Sequence, residues 1–233
     1  MMRWLGSLNL GLWLMSGVIL LLGAGSFAGG EGAATINEMP LLTWLREMPL
    51  SESWWLWLAV LLLVLLAVNT ITCSLQTIFR RYGQVRLSSL LAPQLMHLGF
   101  LLVVLAHLLS AAGSEKGTMQ VPEGAVVEFP GGSTVRLDRF SQEVGPMGMP
   151  TDYHVRVRYL ADGREVDRTV APNHPFFLDG YGLYLKELAP PPMRMALVEI
   201  HREPGAGVAL AGALLFMAGN VLLLVVRRGQ PAS

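Results

Sequence analysis

Four apolar blocks dominate the chain: Leu8–Phe27, Trp54–Ile78, Leu90–Ala112 and Ala206–Val226. Each holds about 20 residues or more, the length a helix needs to cross the roughly 30 Å hydrocarbon layer of a bilayer. Between the third and fourth blocks the pattern shifts to a period of two. "STVRLDRF" and "YHVRVRYL" alternate apolar with polar positions, while "PGG", "ADGRE" and "FLDGYG" supply hairpin turns. "MRMALVEIHRE" reads as a closing strand. Six or seven antiparallel strands over residues 114–203 predict a small sandwich or open barrel.

The predicted fold class is membrane α-helical with an inserted all-β domain. Residues 1–113 carry three transmembrane helices, about 8–27, 54–78 and 90–112, with a short outer segment at 28–53. Residues 114–203 form the β-domain, and 204–233 the fourth helix with a cytoplasmic tail. Within 28–53, Leu41, Leu42, Trp44 and Leu45 suggest a short amphipathic piece on the outer surface, and Ser51 is placed to cap the second helix. The first block also has the layout of a cleavable signal peptide, although its apolar run exceeds the roughly 7–15 residues of a signal core. Either reading sends residue 28 outward.

Composition agrees with membrane residence. The chain is 52% hydrophobic and 15% charged, with mean hydropathy +0.47. Net charge is zero, but the charges are segregated. Arg3 precedes the first block, Arg80, Arg81 and Arg86 separate the second from the third, and Arg227 and Arg228 follow the fourth; no acid lies in these segments. Basic flanks mark the cytoplasmic side, so both termini are expected inside and the β-domain on the periplasmic side of a bacterial inner membrane. The tryptophans mostly sit near block ends, as interfacial anchors do. The expected environment is lipid, with no nucleic-acid partner.

Cys73 is the single cysteine, so the chain has no Cys-x-x-Cys-His haem-attachment motif, no internal disulfide and no multi-cysteine zinc site. Buried cysteine behaves as a small hydrophobe, and Cys73 is read as packing. No catalytic residue stands out.

The third block contains two histidines, His97 and His107. A polar side chain at membrane depth is unfavourable unless something satisfies it, which makes each a functional candidate. His97 lies about 14 Å along a helix from Ser88, near mid-membrane; His107 lies about 15 Å further, rotated by roughly 80°. Two imidazoles so placed cannot clasp one haem iron from both sides. No other block holds a histidine, so a second ligand opposite His97 is expected from another polypeptide. The structural alternative is a neutral histidine bonded to a neighbouring group, and it weighs more heavily for His107 near the interface. His154 is expected on a strand surface and His174 in a turn, while Met147 and Met149 suit a flexible contact surface better than a soft-metal site.

"SWWLWLAVLLLVLLAVNTITCSL", a basic loop and "LMHLGFLLVVLAHLLSAAGSEKG" together resemble the ResB (CcsB) family of cytochrome c biogenesis proteins. "VPEGAVVEFPGGSTVRLDRFSQE", "PTDYHVRVRYLADGRE" and "VAPNHPFFLDGYGLYLKEL" resemble that family's β-domain phrases. With three spans, an outer domain and a final span in the same order, the resemblance extends over nearly the whole chain. It implies a subunit that acts with a CcsA-type partner as the system II cytochrome c synthetase, moving haem outward for attachment to apocytochrome c. It also implies that His97 is one axial ligand of a membrane haem b and that the partner supplies the other. On this reading the chain is a non-catalytic subunit of a holocytochrome c synthase complex.

Two features depart from the family pattern. Most members have a much larger outer domain, and most have a small residue near position 107, so His107 is a local addition and the weaker cofactor candidate. Trp54, Trp55 and Trp57 lack the Gly and Asp context of a CcsA haem-handling motif and read as belt residues. The rival reading is an electron-transfer subunit, with b-type haem at His97 and a second at His107, linking quinol to a periplasmic multihaem cytochrome. A third is a scaffold that binds no haem.

Overall fold

The computed structural model describes residues 2–28, 35–37, 39–146, 150–161, 163–189 and 192–228. Two compact units divide the chain: residues 1–112 with 204–233, and residues 113–203.

The first unit is helical. A short α1 (Met2–Leu5) precedes α2 (Leu8–Ala28), then α3 (Leu41–Glu47), α4 (Leu50–Arg81), α5 (Leu87–Gly113) and α6 (Ala206–Arg228). Of these, α2, α4, α5 and α6 are long and apolar enough to span a membrane. The chain breaks between α1 and α2, where the Ser7 hydroxyl caps the new helix by accepting the Leu10 N–H at 3.2 Å. Carbonyls left over at the break are satisfied from α4, whose buried Asn69 donates to Leu5 O at 2.5 Å and Ser7 O at 3.1 Å. The two helices run antiparallel. A Cβ at Gly11 would meet Asn69 Oδ1, one at Gly17 would meet Leu62, and one at Gly25 would strike the Trp55 ring.

Helices α5 and α6 pair more closely. Ala92, Gly99 and Ala106 on α5 recur every seventh residue, and so do Gly205, Gly212 and Gly219 on and beside α6. A Cβ at Gly99 would lie 2.5 Å from Phe216 N and 2.6 Å from Gly212 O. At Gly212 it would lie 2.8 Å from Gly99 O, and at Gly219 it would lie 2.9 Å from Ala92 O. Without a hydrophobic drive between helices in lipid, such close backbone approach by small residues is what holds a pair together. The seven-residue recurrence on both partners keeps the seam facing inward along its length.

Several expectations need correction here. Helix α4 starts at Leu50, with Pro49 at its N-cap and no side-chain cap, so Ser51 lies inside the helix. Proline at that point fits because the missing N–H has no helical partner to lose. Trp44 and Trp55 are only 1% and 7% exposed and pack with Leu45 and Leu56, so neither is a surface anchor, whereas Trp54 and Trp57 are exposed.

The second unit is an eight-stranded sandwich, two strands beyond the lower expectation. One sheet has the order β1-β8-β7-β6, with β1 Glu115–Pro122, β8 Met195–Arg202, β7 Tyr181–Leu188 and β6 Phe176–Leu178. The other has the order β2-β3-β4-β5, with β2 Val126–Glu128, β3 Thr134–Val144, β4 Pro150–Ala161 and β5 Arg164–Val170. Every pairing is antiparallel. Val135, Leu137, Val155 and Val157 from one sheet share a core with Leu183, Leu185, Val198 and Ile200 from the other. The Tyr159 and Phe176 rings meet across it at 4.9 Å. Asp179 and Gly180 both take positive φ between Leu178 and Tyr181, the backbone of a two-residue hairpin turn.

Candidate functional site around His97

The Ala92–Gly99–Ala106 seam fixes which way the histidines of α5 point. His97 precedes Gly99 by two positions and so lies roughly 160° round the helix from α6. That direction faces α4, where the Ser74 hydroxyl lies 2.7 Å from His97 Nδ1. Ser74 is seven residues before the end of α4 and His97 ten after the start of α5, so the pair sits about 10–15 Å from the Tyr82–Arg86 connection. Both residues are half-buried.

The contact occupies one ring nitrogen and leaves Nε2. Two tautomers satisfy it. With the proton on Nδ1, the imidazole donates to Ser74 Oγ and the Nε2 lone pair is available to a metal. With the proton on Nε2, the serine donates and the ring is a satisfied neutral group. A hydroxyl that accepts from Nδ1–H, as in the first tautomer, holds a ligating histidine in place and raises its basicity.

Gln94 lies one turn from His97 on neighbouring surface, and its Oε1 is buried without a hydrogen-bond partner. Pro93 adds to the polarity of this turn, because it has no N–H to give the Ser89 carbonyl.

His97 offers one nitrogen donor and would need ligands from elsewhere to complete a metal site. Among the described residues no group of three or more His, Cys, Asp or Glu could hold a metal ion. His107 is exposed and roughly 100° from the seam, apart from His97. Cys73, half-buried, adjoins Ser74 in sequence. The other histidines lie in the sandwich: His154 opposite Ser141, His174 exposed and bridged through its backbone to Ala171, and His201 Nε2 at 2.9 Å from Glu203 Oε2. Met147 and Met149 lie outside the described residues. Sequence reasoning did not find Ser74; a hydroxyl near the inner end of the preceding span, at matching depth in a helical hairpin, was the available signal.

The turn of α5 that carries His97 lies within a stretch that matches a known family. Residues 88–192 match the model described as the ResB-like family. This stretch is ResB-like. It begins at the base of α5, includes Gln94, His97 and His107, and runs through the sandwich to the β7–β8 connection; Ser74 and α6 lie beyond it. The match is narrower than the resemblance read from the residues, which took in all four spans. No curated protein matches the chain. A solved structure titled "Cytochrome c Heme Lyase CcmF" is similar at 14% identity and a TM-score of 0.48, covering 88% of this chain and 34% of that one. The chain therefore spans about a third of the length of that solved protein.

Proposed function

We propose that the chain is a membrane subunit of a cytochrome c maturation machine, in which His97 supplies one axial ligand to a haem shared with a CcsA-type partner. The observation that carries this reading is the contact of Ser74 with His97, which lies in the ResB-like stretch and is turned away from the α5–α6 seam. Haem bound there supplies the iron porphyrin that is later joined to apocytochrome thiols. The residues of this chain bind and orient. Ser74 holds the ring plane of His97, and α6 braces the opposite face of α5.

In the same reading, the basic flanks hold both termini in the cytoplasm of a bacterial cell and the sandwich is periplasmic, where it meets the partner or the apocytochrome. The chain has no catalytic residue of its own and acts within a system II synthetase. The test is copurification from membranes followed by haem quantitation as the pyridine haemochrome. Non-covalent haem b that copurifies with a second membrane protein supports the assignment. A haem-free complex that still matures cytochromes contradicts it and favours a scaffold.

A further inference from the structure

Two rungs of the β2-β3-β4-β5 sheet, separated by the Leu137–Val157 pair, each carry opposed arginines and differ in what neutralises them. In one rung Arg136 on β3 is in register with Arg158 on β4, which is in register with Asp167 on β5. Like charges directly opposite repel, and here carboxylates meet them. Asp138 is 3.0 Å from Arg136 Nε and 3.1 Å from Arg158 Nη2, Asp167 is 2.8 Å from Arg158 Nε, and Glu165 is 3.7 Å from it. In the other rung Arg139 faces Arg156, and Arg156 faces Thr169. A hydroxyl stands where the first rung has Asp167, and neither guanidinium has an ion pair among the described residues. The sandwich is not short of acids, since residues 113–203 contain more Asp and Glu than Lys and Arg. Glu123 and Asp167 act on Arg139 and Arg156 only from beyond ion-pair distance, so the second pair is less neutralised than the first.

Arg139, Arg156 and Thr169 line a cleft of about 270 Å³ together with Ser141 and His154, which are in register with each other. Asp152 also reaches the rim, where its Oδ1 accepts its own Tyr153 N–H at 2.8 Å and its charge offsets part, not all, of the two guanidinium charges. The geometry points to a carboxylate-binding site in this cleft, where a ligand supplies the negative charge that Asp138, Asp167 and Glu165 supply at the first rung. Guanidinium forks bind carboxylates through two parallel hydrogen bonds, and the Ser141 and Thr169 hydroxyls add donors beside them. The carboxylate comes from a small acid or from an acidic side chain of a polypeptide. This site stands independently of the reading of His97.

The test is thermal unfolding of the full chain in a non-ionic detergent at low salt, with succinate or tetraglutamate against sodium chloride of equal ionic strength. Ligand that binds only the folded protein raises Tm with concentration. A rise with succinate assigns the site to small acids, and a rise with tetraglutamate alone assigns it to acidic polypeptide. Arg156→Gln should abolish the response and raise the ligand-free Tm, because it relieves the opposed pair. Arg158→Gln should lower that Tm and keep the response. Arg139→Gln repeats the test should Arg156→Gln not fold. No rise beyond the salt control with either probe, or an undiminished rise in both Arg139→Gln and Arg156→Gln, would overturn the site.

Discussion

Gly99 and Gly212 meet backbone to backbone, each lying where a Cβ on the other would fall within 3 Å of its carbonyl oxygen. Such a seam cannot absorb a methyl group without moving a helix. Gly99→Ala and Gly212→Ala should each destabilise the helical unit by about 1–3 kcal/mol, the usual range for overpacking. Gly207→Ala is the control, because nothing lies within 4 Å of a Cβ there. Thermal unfolding in detergent checks this, and equal stability of all three variants would show that the seam is loose.

Acid sensitivity of the sandwich should pass through Glu123. Its carboxylate accepts from Arg194 and from the Phe140 N–H at 3.0 Å, tying the β1–β2 connection to β3 and to the β7–β8 connection. The Arg194 guanidinium, foremost, and the Phe140 amide hold its pKa below the ordinary glutamate range. A depressed carboxylate stabilises the fold fully above its unfolded pKa of about 4.3, and the contribution is lost as pH falls through the lower folded value. The Tm difference between wild type and Glu123→Gln should therefore be constant near neutral pH and shrink in acid. A gap that widens in acid would reverse the assignment.

Orientation follows from the arginine flanks. In a Cys73→Ala background, which should retain cytochrome maturation, a cysteine at exposed Arg164 should react with a membrane-impermeant reagent in intact spheroplasts. Labelling only after lysis would invert the topology.

The four spans were legible because an apolar run of that length has few alternatives to crossing a bilayer. The hairpins were legible at Gly131–Gly132 and Asp179–Gly180, where turn chemistry interrupts a period of two. Strand β1 was not, since Glu115–Pro122 buries only Val121 and pairs with β8 from the far end of the domain. Trp44 and Trp55 were misread because a tryptophan at the end of a span serves equally as a belt residue or as the centre of a local cluster. His97 was conspicuous as a polar residue in an apolar helix. Its partner Ser74 was not, because a serine costs little at that depth and its importance depends on how α4 and α5 align. The opposed arginines were invisible until the bulge between Leu137 and Arg139 set the register of β3 on β4.

Removal of the Ser74 hydroxyl tests the tautomer. If Nδ1–H donates to Ser74, Ser74→Ala should weaken haem retention by about 10-fold and raise the haem midpoint potential, because a less basic imidazole stabilises ferric iron less. Ser74→Thr, which keeps the hydroxyl, should restore both. A potentiometric titration of the copurified complex reads the shift. An unchanged potential in Ser74→Ala would show that Ser74 does not act on a haem ligand.

The haem content of His97→Gly, measured with and without added imidazole beside His107→Gly, tests the central claim most directly. The vacated position should lose haem b and regain part of it when free imidazole enters as a substitute ligand, while His107→Gly keeps its haem. A His97→Gly complex with full haem in the absence of imidazole would contradict the assignment of His97 as a ligand.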